Sequence, residues 1–157
     1  MLRSSHGKTQ NTGSRSCPVL IFSVGGRRLA VKTQEVAGIS EWRGSIAVPG
    51  HTRYVQSVVR TNDEVFPVFD LAGLLGVKVS GESLLCLTVK HPHGPMVICI
   101  DEDMPVLHTL DMAAIQPYRG NEFETAGSFS SGLDQIPIMN AAKLGSAQTE
   151  KIYDPIA

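Results

Sequence analysis

The sequence predicts a mainly β protein organised as two small β subdomains. Its apolar runs, such as "PVLIFSV", "RRLAV" and "MVICID", have the length of ordinary strands. Fifteen glycines and nine prolines supply turn residues between these runs, and helical patterns are few and short. Strand-rich stretches lie on both sides of residues 76–83. Together these features favour small β-barrels or a sandwich within one compact domain.

Composition excludes several classes of protein. The chain has 157 residues and a net charge of −1, with 14 basic and 15 acidic residues, so no basic excess favours a nucleic-acid partner. Aromatic residues make up only 6%, which also disfavours a base-stacking surface. No apolar run approaches the roughly 20 residues of a membrane helix. Three cysteines without CxxC spacing indicate a reducing compartment, and we expect a cytoplasmic protein.

Domain boundaries follow from polarity at the two ends. Residues 1–16 are basic and polar without an apolar segment, which predicts a disordered tail rather than a secretion signal. Residues 17–146 form the predicted domain. Residues 147–157 are predicted to be a second tail.

The first hairpin is predicted in register. Gly25 and Gly26 form a two-residue turn that tolerates positive φ at both positions. That turn places Phe22 opposite Leu29, and Leu20 opposite Val31, on one apolar face. The following "KTQEVAGISEW" reads as a short helix or bent strand, and "RGSIAVPG" reads as a loop.

A second hairpin joins "HTRYVQSVV" to "VFPVFDL" through the polar turn "RTNDE". Pro67 cannot donate a ladder hydrogen bond, so its strand is predicted at a sheet edge or a bulge. The segment "LAGLLG" then reads as a short helical turn that ends at Gly76.

The second half repeats the β pattern. "SLLCLTVK" and "MVICID" are strands joined by "HPHGP", and "MPVLHTLDMAAIQPY" leads into further strand and loop. The polar "GNEFETAGSFSSGLDQ" is predicted to be a loop over a short strand. "IPIMNAAKLG" begins extended and ends in a short C-terminal helix, which Asn140 is placed to cap.

Few side chains are arranged for chemistry. His91 and His93 share a loop, but no nearby Cys, Asp or Glu completes a metal-ligand set, so no metal is predicted. The carboxylates of residues 101–103 lack the glycine of a calcium loop and are interpreted as a solvated strand end. No GxSxG or phosphate-loop motif is present. No cofactor is expected.

Cys86 and Cys99 lie on the two strands that the "HPHGP" hairpin joins, so they are candidate neighbours across a ladder. A remote alternative function is a thiol enzyme that uses one of them with His91 or His93. Neither cysteine stands beside Lys, Arg or a helix start that would stabilise a thiolate. The favoured interpretation is therefore two small core residues.

Several stretches in order resemble the CheW-like domain family. "FSVGGRRLAVKTQEVAGI" is similar to its opening strands. "VPGHTRYVQSVVRTNDEVFPVFDLAGLLG" resembles its central motif, in which an aromatic-led strand, an Asn-Leu-Arg-Gly turn and a Val-x-Pro-Val-x-Asp-Leu strand follow one another. "MVICIDEDMPVL", "IQPY" and "IPIMNAAKLG" resemble its later elements. The resemblance covers residues 18–145.

The resemblance implies a fold and a function. The fold would be two small SH3-like five-stranded β-barrels around a shared core. The function would be that of a non-catalytic adaptor, without cofactor, that couples chemoreceptors to the histidine kinase CheA. Its partners would be the receptor cytoplasmic tip and the kinase regulatory domain. An adaptor of a twitching or other non-flagellar chemosensory pathway, with altered receptor binding, is the alternative.

The resemblance also implies site residues. The receptor-binding groove would comprise Val36, Gly38, Arg60, Asn62 and Asp63. The kinase-binding edge would comprise Val65, Pro67 and Phe69. Asn62 and Asp63 stand where the family has Arg and Gly, and Gly38 stands where it has Glu. The turn is expected to survive, because Asn and Asp tolerate positive φ, but a fixed positive charge is lost. Arg60 is a candidate to replace that charge, and altered receptor binding is the resulting hypothesis.

Overall fold

The structure is a computed structural model that describes residues 15–52, 54–120 and 122–145. The predicted tails lie almost wholly outside these ranges. The described residues form eleven strands and one α-helix, with single 3-10 turns at Thr33–Glu35, Met112–Ala114 and Ala141–Lys143. In chain order the elements are β1 (Ser16–Val24), β2 (Arg27–Lys32), β3 (Val36–Glu41), β4 (Ile46–Thr52), β5 (Val55–Thr61), β6 (Glu64–Val68), α1 (Leu71–Leu75), β7 (Leu85–Val89), β8 (Met96–Ile100), β9 (Val106–Asp111), β10 (Thr125–Ser131) and β11 (Asp134–Met139).

The strands form two sheets, which confirms the mainly β prediction. One sheet has the order β10-β11-β2-β1-β9, and the other has the order β3-β7-β8-β6-β5-β4. The first sheet combines both ends of the described chain, because β11 pairs in parallel with β2 through Ile138 and Met139. The predicted boundary between the two β units, at residues 76–83, is therefore wrong, although the predicted number of units is correct.

A shared apolar core lies between the sheets. On β1, alternate residues point to opposite faces, so Leu20, Phe22 and Val24 enter this core while Val19 packs on the other side. From the second sheet, Leu87 and Ile98 enter the same core. A small third cluster of Val59, Val68, Cys86 and Val97 lies on the opposite face of the second sheet from Leu87 and Ile98, with Trp42 and Phe66 packed against it.

The first hairpin forms as predicted. Gly25 and Gly26 have φ of 63° and 82°, Phe22 pairs with Leu29, and Leu20 pairs with Val31. The helix α1 also matches its prediction. The Asp70 carboxylate accepts a hydrogen bond from the Gly73 N–H at 2.9 Å, and Gly76 closes the helix with φ of 72°.

Other local predictions were wrong. The segment "RGSIAVPG" contributes most of β4, and the polar stretch before residue 136 forms β10 and the start of β11. The C-terminal helix is only the 3-10 turn Ala141–Lys143, and the Asn140 side chain makes no capping hydrogen bond there. Instead, Glu35 Oε1 accepts from the Ala141 N–H at 3.0 Å. Long-range pairing overrides local composition at each of these places.

Strand β6 is not a terminal strand, contrary to the prediction from Pro67. It lies between β5 and β8, but its pairing with β8 is limited to Val68 opposite Val97. Thr61 and Glu64 face each other across the two-residue turn and begin an alternation of hydrogen-bonded and non-bonded pairs. Pro67, opposite Val58, falls in a non-bonded pair with its nitrogen toward the open side, so no ladder bond is lost.

Candidate functional site

A groove of about 430 Å³ lies between the terminal strands of the two sheets, β3 and β9. We call it the edge groove. Among the described residues that line it, none carries a charge. Its lining residues are Leu20, Thr33, Val36, Ala37, Gly38, Ile39, Pro105 and Leu107.

Strand pairing explains why the edge groove is apolar. Leu107 pairs opposite Leu20 on β1, but its side chain remains 72% exposed. Val106 and Leu107 are consecutive apolar residues, and consecutive strand residues face opposite sides, so the core cannot take both. Both are in fact exposed. That doublet was the sequence signal for this surface, and sequence reasoning missed it.

A second cleft, of about 320 Å³, lies beside the β5–β6 hairpin, and we call it the hairpin cleft. Arg60 and Asn62 line it from the hairpin, and Trp42 and Arg43 line it from the segment after β3. Asn62 has φ of 55° and, within the described ranges, is the only residue other than glycine with positive φ. The turn therefore depends on the tolerance of Asn for positive φ, as the sequence predicted.

The five predicted receptor-groove residues do not line one cleft. Val36 and Gly38 line the edge groove, whereas Arg60 and Asn62 line the hairpin cleft and Asp63 is exposed in the turn. Strand β3 connects the two, because Val36 through Ile39 line one cleft and Ser40 with Glu41 line the other.

The predicted kinase-binding residues also do not share one surface. Val65 is 57% exposed and Pro67 is half-buried on the outer face of the second sheet. Phe69 is 1% exposed and belongs to the shared core, so it offers almost no surface to a partner. Sequence reasoning missed a row of apolar residues across this outer face. In that row Ile46 pairs opposite Val58, and Val58 pairs opposite Pro67.

The cysteines of the remote enzyme alternative face each other directly, since Cys86 pairs opposite Cys99. Burial raises the pKa of both thiols, that of Cys99 to about 12, and the proximity of Cys86 and Asp101 adds to the shift at Cys99. Hydrogen bonds from Ser40 and Thr88 partly offset the rise in the Cys86 pKa. A raised pKa opposes thiolate formation, which is the reverse of what a catalytic cysteine requires.

The histidine pair has a structural role that sequence reasoning missed. His91 Nδ1 accepts a hydrogen bond from the His93 N–H at 3.2 Å, so Nε2 carries the proton and donates to the Leu144 carbonyl at 2.9 Å. This bond ties the β7–β8 hairpin to the chain after β11. In residues 15–52, 54–120 and 122–145, no group of three or more His, Cys, Asp or Glu side chains is arranged to hold a metal ion.

Of the carboxylates of residues 101–103, which the sequence predicts as a solvated strand end, Glu102 and Asp103 are exposed but Asp101 is not. Asp101 is 2% exposed and accepts backbone hydrogen bonds from Gly25, Gly26 and Ser80 at 2.7–2.8 Å. Glu102 Oε1 accepts from the N–H groups of Glu82 and Ser83. These residues therefore join the first hairpin to the segment before β7.

Comparisons with known proteins agree on one family. The family model described as CheW-like domain matches residues 18–147. The probable chemotaxis protein CheW of Rhizobium etli is 31% identical over 71 residues, which are 45% of this chain and 44% of that relative. The match thus spans less than half of the relative's length.

A solved structure has the same fold. The crystal structure of the scaffolding protein TtCheW from Thermoanaerobacter tengcongensis matches with a TM-score of 0.69 and 15% identity, over 83% of this chain and 92% of that one. In the described part of this chain, no helix is long and apolar enough to cross a membrane.

Proposed function

The chain belongs to the family of CheW-like domains, and on that premise we propose that it is a non-catalytic cytoplasmic adaptor coupling chemoreceptors to the histidine kinase CheA. The names of its relatives, a probable chemotaxis protein and a scaffolding protein, support this proposal. The raised thiol pKa values support a binding role over the thiol-enzyme alternative. The observation that carries the proposal is the uncharged edge groove with its exposed Leu107.

The edge groove is the proposed binding site for the receptor cytoplasmic tip. Val36 and Gly38 line it, as the predicted receptor-binding residues on β3. Exposed apolar side chains that converge on a concave surface are a common feature of protein contact sites. An amphipathic helix of the receptor would bury Leu107 and Ile39, which are 72% and 37% exposed.

The outer face of the second sheet is the proposed contact for the kinase regulatory domain. Val65 and Ile46 are 57% and 59% exposed on this face, and Pro67 lies half-buried there. Their separation from the edge groove would allow the two partners to bind at the same time. Simultaneous binding is what an adaptor needs in order to couple two proteins.

Titration calorimetry with the two partner fragments tests both assignments. The fragments are the receptor cytoplasmic tip and the kinase regulatory domain. We expect Leu107→Glu to weaken receptor binding by about tenfold or more, because it places a charge in an apolar contact, and to leave kinase binding intact. Val65→Glu should have the opposite pattern. Leu133→Glu is the matched control, since Leu133 is fully exposed at a hairpin tip and lines neither surface.

The possible outcomes separate the site from the function. Binding of both fragments by the wild type, with no effect of Leu107→Glu, would reject the edge groove as the receptor site. If the wild type bound neither fragment, the adaptor function itself would be rejected.

A further inference from the structure

Cys86 and Cys99 form a cross-strand thiol pair in the β7–β8 hairpin, one pair in from its open end. The two residues are direct partners in the antiparallel ladder, and both are free cysteines. Cys86 belongs to the small third cluster, on the face of the second sheet opposite Leu87 and Ile98. Residues directly opposite each other in such a ladder point their side chains to the same face of the sheet.

Two hydrogen bonds outside the hairpin establish which type of pair this is. The Leu84 carbonyl accepts from the Trp42 N–H at 3.1 Å, so Leu84 directs its backbone groups toward β3. Cys86, two residues further along, does the same, because the direction alternates along a strand. The Val97 carbonyl likewise accepts from the Phe69 N–H at 2.8 Å. Cys99 therefore directs its backbone groups away from β7.

Cys86 and Cys99 are thus a non-hydrogen-bonded pair. In such pairs the Cα atoms are about 4.5 Å apart and the side chains are at their closest. Disulfides span Cα distances of about 4.4–6.8 Å, so the backbone already satisfies the main geometric requirement.

We propose that Cys86 and Cys99 are an oxidisable pair that forms an intramolecular disulfide when the protein meets a peroxide. The Cys99 sulfur attacks one peroxide oxygen, the O–O bond breaks, and water leaves after proton transfer, with Cys99 converted to a sulfenic acid. The Cys86 sulfur then attacks the Cys99 sulfur, the S–O bond breaks and a second water leaves. In total, two thiols and one hydrogen peroxide give one disulfide and two waters.

Access favours Cys99 as the first residue to react, and its raised pKa of about 12 makes that reaction slow rather than catalytic. Cys99 is partly exposed and lines a cleft of about 360 Å³ together with Trp42 and Phe69, whereas Cys86 is 7% exposed. A peroxide is small enough to enter such a cleft. Cys86 does not line this cleft and lines the hairpin cleft instead. It is therefore positioned as the second thiol of the pair.

The test uses the full chain with hydrogen peroxide at pH 8.5, followed by unfolding in guanidinium with iodoacetamide and peptide mapping. The expected result is a fall from three alkylatable cysteines to one, Cys17. Trypsin cleaves after Lys90, which lies between the pair, so the disulfide should appear as two tryptic peptides joined together. The oxidised protein should also melt higher, by about 5 °C, because the bond constrains the unfolded chain.

Variants control for other thiol reactions. Cys17→Ser should retain the linked peptides and leave no alkylatable cysteine after oxidation. Cys86→Ser should abolish the linked peptides. Three alkylatable cysteines after treatment of the wild type, or a link that includes Cys17 or a second molecule, would overturn the proposal.

Discussion

The Asp101 carboxylate accepts hydrogen bonds from the backbone N–H of Gly25 on Oδ1 and from that of Gly26 on Oδ2, both at 2.8 Å. Asp101 directly follows β8, so this contact links the end of the second sheet to the first hairpin of the other. Ser80 donates a third backbone hydrogen bond to Oδ1 at 2.7 Å. A buried carboxylate that accepts three N–H donors holds three segments of the chain together.

Replacing this carboxylate should destabilise the fold. In Asp101→Asn, one acceptor oxygen becomes an NH₂ group that faces a backbone N–H, so a donor meets a donor. We expect the free energy of unfolding to fall by about 2–4 kcal/mol in urea denaturation. Asp103→Asn, an exposed neighbour, is the control and should change it by less than about 0.5 kcal/mol. Equal losses in the two variants would contradict the role of Asp101.

The glycine pair of the same turn allows a matched comparison. Both glycines have positive φ, but a Cβ on Gly25 would lie 2.7 Å from Val77 Cβ, whereas a Cβ on Gly26 meets nothing within 4 Å. Gly26→Ala should cost only the backbone strain, about 1 kcal/mol, and Gly25→Ala should cost about 3 kcal/mol. Urea midpoints of the two variants measure the difference. A Gly25→Ala cost no larger than that of Gly26→Ala would mean that the close approach to Val77 is relieved.

Asn62 tests the hypothesis of altered receptor binding. Asn62→Arg introduces the charge that the family carries at this turn, in the hairpin cleft beside Arg60. We expect it to change affinity for the receptor tip by about tenfold, measured by calorimetry. Asn62→Ala is the control, because both variants remove the Asn that tolerates φ of 55° but only one adds charge. Identical receptor affinities for the two variants would remove the basis of the hypothesis.

The reactivity of Cys99 should report its raised pKa. Only the thiolate is alkylated, and its fraction increases tenfold per pH unit below the pKa. Because that pKa is raised to about 12, mainly by burial, iodoacetamide labelling of folded Cys99 should accelerate steadily from pH 7 to 9 without reaching a plateau. At pH 8 it should be about a thousandfold slower than in urea-unfolded protein. A plateau below pH 9 would show that the thiol ionises normally.

Local patterns were sufficient for local structure. The Gly25–Gly26 turn, its register and the short helix that ends at Gly76 depend on residues close together in the chain, and all three formed as expected. The position of the strand that contains Pro67 did not follow from the sequence, which predicted a sheet edge or a bulge. Pro67 was tolerated inside a sheet because its nitrogen falls on the open side of β6, and that depends on pairing with another strand.

The candidate site needed more than the sequence. Val36 and Gly38 could be named from the family resemblance, but their partner Leu107 is about seventy residues away and reaches the edge groove only because β9 pairs with β1. Arg60 and Asn62 were expected beside Val36, yet they line a different cleft at the other end of β3. Phe69 occupies the core because it follows the last residue of β6, where the chain turns inward to α1.

By itself the sequence determined the strand-rich class and the tight turns, because these depend on residue type, alternation and spacing along the chain. The family followed from the resemblance of its motifs, which the family model confirms. Only the tertiary structure decided that both ends of the described chain share one sheet, that Asp101 is buried, and that Cys86 faces Cys99 in a non-hydrogen-bonded pair. The physical reason is that these relationships join residues distant in sequence. Strand pairing and burial, which no local pattern encodes, bring them together.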